Sequence, residues 1–396
     1  MSAAAADAAA QEVAELAVAH GRLAIDTEFV SERRYQALLC LVQVAAPDPD
    51  REGGVRTEVL DPLADDPFEP APLADALADP AVEVVVHAGR QDVAILRRTW
   101  ETDVTRIFDT QVAAGFLGMG NQEGYETLVR RVLGVQLRGG EGFTRWDKRP
   151  LTDRQLGYAA DDARCLLALG AAVERELDAV GRLDWAREEC RAVEASNDVR
   201  SPQQAYDRLP NVRQLNEPGR ATALALCEWR DAEARVLDRP PSYLIPDQVL
   251  VQLARRRPTD KGGLEQIRGL PQQTLHRRGR DLIAVIEAVD ESTAPPRPPA
   301  GPQRNPVDQP VVSLAQGLLR HRAREAGIAT ELIATQSELT GLVASVLHDD
   351  EAEHVRALSG WRYELVGSEL CDLVRGRISL SVASDGTLAV APADGD

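Results

Sequence analysis

Three short stretches of the 396-residue chain place carboxylates where they could act together. Asp26 and Glu28 follow the apolar run Leu23-Ala24-Ile25. The period of two in a strand puts both acids on one face, with Thr27 on the other. Adjacent carboxylates at the end of an apolar strand are costly unless a positive charge sits between them. Asp92 follows Val84-Val85-Val86-His87-Ala88-Gly89-Arg90-Gln91, which reads as a buried strand, a tight turn and the start of a helix. An acid in that first turn also suits the helix dipole. His87 is either a ligand or a satisfied histidine at a strand end. Tyr158 and Asp162, at i and i+4, stand one above the other on a helix face beside the small Ala159 and Ala160. Asp161 lies about 100° further round and faces solvent.

Taken singly, each stretch fits an ordinary structural role. Together, Asp26, Glu28, Asp92 and Asp162 form a set able to hold two divalent ions. Such a pair activates a water on one side of a phosphodiester and stabilises the leaving oxygen on the other. Hard oxygen donors point to Mg²⁺ or Mn²⁺ rather than zinc. Tyr158 would then orient the attacking water.

These side chains need a scaffold, and the patterning predicts one. A helix is expected over residues 8–19 and strands over 23–25, 38–44, 55–60 and 82–86, the first three close enough for an antiparallel meander. A short strand at Ile107-Phe108 interrupts a helical stretch, and a long helix capped by Thr152 or Asp153 spans 152–180. Strands first, then strands alternating with helices, describe an α/β domain. Residues 196–210 read as a polar linker and 211–290 as a small helical domain. Seven prolines between Pro295 and Pro310 mark a second, extended linker over 293–310. Residues 311–375 are helical again, and alternation around Asp385-Gly386 predicts a β-hairpin within 376–396.

Asp26-Thr27-Glu28, His87-Ala88-Gly89-(x)2-Asp92 and Tyr158-(x)3-Asp162 resemble the three motifs of the DEDD 3′→5′ exonucleases, tyrosine subclass. The flanks Leu41-Val42-Gln43, Phe108-Asp109-Thr110 and Arg149-Pro150-Leu151 with Trp146 are similar to the ribonuclease D family within it. The resemblance covers residues ~20 to ~175. It implies an RNase H-like mixed β-sheet flanked by helices in residues 1–200, and hydrolysis of RNA from the 3′ end to nucleoside 5′-monophosphates. It carries the metal ligands onto Asp26, Glu28, Asp92 and Asp162, and the water-orienting role onto Tyr158. It also implies that Thr27, Phe29 and Gln43 lie around the terminal nucleotide. Phe29 suits base stacking, while Arg33 and Arg34, with Tyr35, form a basic-aromatic patch for phosphate.

Trp229-Arg230, Pro240-Pro241, Leu244-Ile245-Pro246-Asp247 and Ile267-Arg268-Gly269 resemble an HRDC domain over 208–292. Its phosphate candidates are Arg255-Arg256-Arg257, Lys261, Arg268 and Arg277-Arg278-Arg280. Residues 311–375, with Leu358-Ser359-Gly360-Trp361-Arg362, look like a second, divergent HRDC-like domain. The implied partner is RNA with a free 3′ end, tRNA precursors included, with weaker binding of single-stranded DNA. The readings left open are a DNA 3′→5′ exonuclease and a non-catalytic RNA-binding protein.

Composition limits these choices. With 45 Lys+Arg against 63 Asp+Glu, the formal net charge of −18 excludes a sequence-blind basic coat for nucleic acid. Only residues 210–290 carry a slight positive excess. No run approaches the ~18 apolar residues of a membrane span. The acidic N-terminal stretch does not read as a secretory signal. The five dispersed cysteines, Cys40, Cys165, Cys190, Cys227 and Cys371, suit reduced thiols in a cytoplasmic monomer.

Overall fold

The computed structural model describes residues 3–120, 122–137, 144–297, 307–348 and 355–393. Half of the expected Pro-rich linker, 298–306, and the last residues, 394–396, lie outside the described residues.

The first unit opens with α1 (Ala3–His20) and the meander β1 (Arg22–Val30), β2 (Leu38–Pro47) and β3 (Val55–Leu60). It continues through α2 (Ala71–Ala78), β4 (Glu83–Val86), α3 (Arg90–Thr99), β5 (Ile107–Asp109), α4 (Thr110–Gly115), α5 (Tyr125–Leu133), α6 (Asp153–Ala179) and α7 (Leu183–Glu194). The sheet order is β3-β2-β1-β4-β5. Short connections pair β1, β2 and β3 antiparallel, whereas the helical crossovers bring β4 and β5 in parallel to β1. This is the mixed sheet flanked by helices that the motifs imply.

Strand alternation divides the core. Leu23, Ile25, Val84 and Val86 pack under α1, α2 and α3, while Ala24, Val85 and Phe108 pack under α4, α5 and α6. The 27-residue α6 starts at a capping box in which Thr152 and Gln155 satisfy each other's backbone N–H. It lies tight against the sheet at Gly170, where an added Cβ would meet Val85 Cγ1 at 2.6 Å.

The segment expected to be a linker at 196–210 contains a helix. Ser201 and Gln204 form a capping box for α8 (Pro202–Asp207), and Tyr206 is fully buried. That helix joins a second core with α9 (Glu217–Leu237), α10 (Pro241–Leu244), α11 (Asp247–Arg256), α12 (Lys261–Glu265) and α13 (Gln272–Glu287). The last helices, α14 (Gln309–Ala326), α15 (Thr330–Ile333), α16 (Gln336–His348), α17 (Gly360–Arg362) and α18 (Ser368–Val374), do not build a separate core. Leu318, Ile333, Leu342, Trp361 and Leu370 belong to the same apolar cluster as Phe108, Phe116, Leu166 and Val173. The chain closes with the hairpin β6 (Ile378–Val382) and β7 (Leu388–Pro392). Among the described residues, no helix is long and apolar enough to cross a membrane.

Candidate active site

The four carboxylates come from three elements that meet at the end of β1. Asp26 pairs across the ladder with Gln43, and Glu28 with Leu41, just before an irregularity between Glu28 and Phe29. Such bulges re-aim side chains beside active sites. On its other side β1 pairs with β4 only from Arg22 to Ala24, so its last residues overhang an open edge. α3 fills that edge. This is why Thr27, which alternation assigns to the opposite face, reaches the site: its hydroxyl donates to Asp92 Oδ1.

The turn feeding α3 is held from β5. Asp109 caps α4 and accepts the N–H groups of Ala88 at 3.0 Å and Gly89 at 2.9 Å. Ala88 takes a left-handed φ of 53° there, a conformation that needs such restraint in a non-glycine residue. Position 89 admits only glycine, because an added Cβ would lie 2.5 Å from Val86 Cγ2. The turn delivers Asp92, 8% exposed, into the first turn of α3. From the far side, α6 delivers the buried Asp162 and the half-buried Tyr158, whose phenol hydrogen-bonds the Asp162 carboxylate. Tyr125 on α5 anchors the same stretch, its hydroxyl donating to the Asp162 carbonyl at 2.5 Å.

Burial is the largest influence on the charge of these acids. It drives Asp26 well above the usual carboxylate range, reinforced by Asp92, Glu28 and Asp162. Glu28 rises to about 8 through burial, then Asp162 and Asp92. Asp162 rises to about 7 through burial, although the Tyr158 phenol pulls it back. Asp92 rises to about 6, burial outweighing the Thr27 hydroxyl. Burial and the Asp162 carboxylate also push the Tyr158 phenol upward. Among the described residues, no group of three or more His, Cys, Asp or Glu side chains is already arranged to hold a metal ion. The acids instead stand as uncompensated anions would, two of them drawing on neighbouring hydroxyls. Crowded hard-oxygen anions that raise one another's proton affinity match a divalent hard cation in both charge and donor type.

The other candidates fall into two groups. Phe29, half-buried, and Arg33, exposed, line an open cavity with Glu28. Gln43 is fully buried beside Asp26, and its amide finds no partner among the described residues. That position removes it from direct substrate contact. Thr27, also buried, holds Asp92. His87 is fixed below the site, its Nδ1 2.9 Å from Thr110 Oγ1 and its ring against Tyr125. Arg34 lines the same cavity and pairs with Asp238 at the end of α9 at 3.0 Å. Asp109 and Tyr125 carry positioning roles that motif reading missed. An Asp-Thr pair directly after a short strand is a capping signal that could have identified the first; Tyr125 has no local signal.

A mixed sheet that brings these carboxylates and a tyrosine to one strand end defines a DEDD-type 3′–5′ exonuclease. A 3′–5′ exonuclease family profile matches residues 2–178, and an HRDC domain profile matches residues 220–286. Ribonuclease D of Sphingobium indicum is 35% identical over 367 residues, covering 91% of each chain. Ribonuclease D of Zymomonas mobilis is 35% identical over 373 residues, covering 91% of this chain and 90% of that one. The crystal structure of Escherichia coli RNase D, an exoribonuclease involved in structured RNA processing, matches with a TM-score of 0.77 at 28% identity. It covers 93% of this chain and 97% of its own. The chain belongs to the ribonuclease D family. It is a hydrolase, a 3′→5′ exoribonuclease.

Proposed function

We propose that the enzyme removes nucleoside 5′-monophosphates one at a time from RNA 3′ ends, with Asp26, Glu28, Asp92 and Asp162 holding two divalent ions, Mg²⁺ or Mn²⁺. The observation that carries this reading is the convergence of four carboxylates with raised proton affinity, with no cationic side chain among the causes of their shifts. When bound, the ions lower the pKa of a water and offset charge on the leaving oxygen. The protein's own groups do the positioning. Tyr158 remains a neutral phenol, so it orients the attacking water by hydrogen bonding and does not take its proton as a phenolate. Thr27 and the Asp109-braced turn fix Asp92. Phe29 offers a ring face to the terminal base, and Arg33 a charge to phosphate.

Structured RNAs such as tRNA precursors are the proposed substrates, a choice supported by the role of the E. coli relative. Single-stranded DNA is expected to bind more weakly. A cytoplasmic monomer suits five cysteines that are all free and buried. The test is product analysis on 5′-labelled RNA with and without Mg²⁺ or Mn²⁺. The expected result is a metal-dependent ladder shortening from the 3′ end, with 5′-monophosphates released. Internal cuts, or equal activity in chelator, would overturn the reading.

A further inference from the structure

We propose that Tyr35 is a positioning residue. Docked on α9 of the HRDC domain, it holds the loop after β1 so that Arg33 meets substrate phosphate beside Glu28. The HRDC domain thereby sets affinity even for a substrate too short to leave that cavity. This rests on the exoribonuclease reading above, with Arg33 as a phosphate contact.

The loop over residues 31–37 joins β1 to β2 just beyond Glu28. Its own domain holds its ends, through the Phe29–Leu39 and Val30–Leu38 pairs and an Arg98 bond to the Ala37 carbonyl at 2.7 Å. The tip is a tight turn in which the Arg34 N–H reaches the Ser31 carbonyl at 3.3 Å and Arg33 takes a left-handed φ of 60°. A non-glycine residue stays in that conformation only where its surroundings over-determine the backbone. Here the surroundings belong to the HRDC domain. Asp231 and Arg235 of α9 and its capping residue Asp238 fall at i, i+4 and i+7, on one face. The Tyr35 ring packs against the apolar cluster of that domain. Its hydroxyl donates to Asp231 Oδ1 at 2.7 Å and accepts from Arg235 at 3.3 Å, and its N–H donates to Asp238 Oδ1 at 3.1 Å. Arg239 donates to the Arg33 carbonyl at 3.1 Å. These bonds all act on residues 33–35, the part of the loop that most needs them.

The two arginines of the tip differ in what they have left to offer. Arg34 pairs with Asp238 at 3.0 Å. Arg33 is exposed, has no carboxylate partner among the described residues, and lines a cavity of about 890 Å³ together with Glu28 and Phe29. Tyr35 and Asp231 are not on the walls of that cavity. They border a different groove of about 580 Å³, with Arg90 and Gln91 of α3. Their influence on a substrate beside Glu28 therefore passes through the loop. A charge-assisted bond from guanidinium to phosphate depends on alignment, so a loop released from α9 weakens it.

The test is steady-state kinetics of the full chain in Mg²⁺ on a 5′-phosphorylated dinucleotide, small enough to stay within the cavity at Glu28. Arg33→Ala is expected to raise KM about tenfold through loss of one charge-assisted bond. Tyr35→Ala should raise it about fivefold with kcat unchanged, the mark of lost binding rather than of damage at the reacting centre. In the double variant the two effects should merge and leave KM at the Arg33→Ala level, whereas independent effects would multiply to about fiftyfold. Asp231→Ala, a change on the HRDC side of the contact, should move KM in the same direction by about twofold or more. If Tyr35→Ala melts below the assay temperature, the same cycle with Asp231→Ala decides. Multiplied effects, a fall in kcat in place of the rise in KM, or an unchanged KM in the Tyr35 or Asp231 variant would overturn the brace while leaving the exoribonuclease reading intact. An unchanged KM in Arg33→Ala would remove the phosphate contact and the brace with it. Release by the wild type from longer RNA but not from the dinucleotide would also overturn the brace, and release from neither would overturn the exoribonuclease reading as well.

Discussion

The HRDC domain meets the exonuclease domain chiefly through charge and hydroxyl groups, whereas the C-terminal helices meet it chiefly through buried carbon, with ion pairs to Glu189 beside it. At the first junction, the loop after Glu28 grips α9. The Tyr35 hydroxyl donates to Asp231 Oδ1 at 2.7 Å and its N–H to Asp238 Oδ1 at 3.1 Å. Arg34 pairs with Asp238, Arg239 donates to the Arg33 carbonyl at 3.1 Å, and Arg235 lies 5.5 Å over the Tyr35 ring. At the second junction, Trp361 stacks on Trp185 at 5.1 Å and meets Phe116 edge-on at 5.2 Å. Exposed ion pairs contribute roughly 0–1 kcal/mol each and weaken with salt. A buried aromatic contributes several times that. The C-terminal helices are therefore part of the foundation under α4 and α6, whereas the HRDC domain is a module whose attachment ionic conditions can loosen.

The largest test of that contrast is Trp361→Ala. Emptying the shared core is expected to cost about 3–5 kcal/mol and to lower the melting of the exonuclease domain itself. Loss of C-terminal structure alone, with the exonuclease transition unchanged, would break the comparison. Next, saturating Mn²⁺, at about 100 times its Kd, should stabilise its host by about 2.7 kcal/mol. Hydrogen exchange should then slow in the sheet, α6 and the C-terminal helices together, with α11–α13 unaffected. Asp238→Ala is expected to change global stability by less than about 1 kcal/mol. Solution scattering should nevertheless show the HRDC domain separating at lower salt than in the wild type.

The smallest effect concerns pH. Arg356 grips Glu338 through paired bonds of 2.5 Å and 3.0 Å and reaches Glu189 of α7 at 3.4 Å. The guanidinium holds the Glu338 carboxyl down at about 2, below its ordinary 4.5. A depressed folded-state value means the contribution is fully present above about 4.5 and is lost as pH falls toward about 2. With partial exposure discounting the pair, Glu338→Gln should lower the melting temperature slightly at pH 7. The difference from the wild type should vanish in acid.

Periodicity and local chemistry made much of the exonuclease domain legible. Period two placed Asp26 with Glu28, i to i+4 placed Tyr158 with Asp162, and Thr152 announced α6. What could not be read depends on partners distant in sequence. Nothing near Trp361 says that it will stack on Trp185 and share an apolar cluster with α4 and α6. Nothing near Arg34 announces that Asp238, some two hundred residues later, pairs with it on the cavity wall. Strand alternation sent Thr27 away from the site because it ignores the open edge of β1, where Asp92 of α3 meets the Thr27 hydroxyl. The helix at Pro202–Asp207 was hidden by two prolines and a polar composition, although Ser201 and Gln204 carry its capping signal.

Replacement of Asp162 by Asn tests the central claim most directly. The change keeps shape while removing one of the four charges, and Tyr158 retains an acceptor. Nucleotide release from RNA 3′ ends in Mg²⁺ is expected to fall by about 10²- to 10³-fold or more, with the fold intact and the melting temperature equal or higher. Undiminished release by a pure, folded Asp162→Asn enzyme would contradict the assignment of these carboxylates as the catalytic centre.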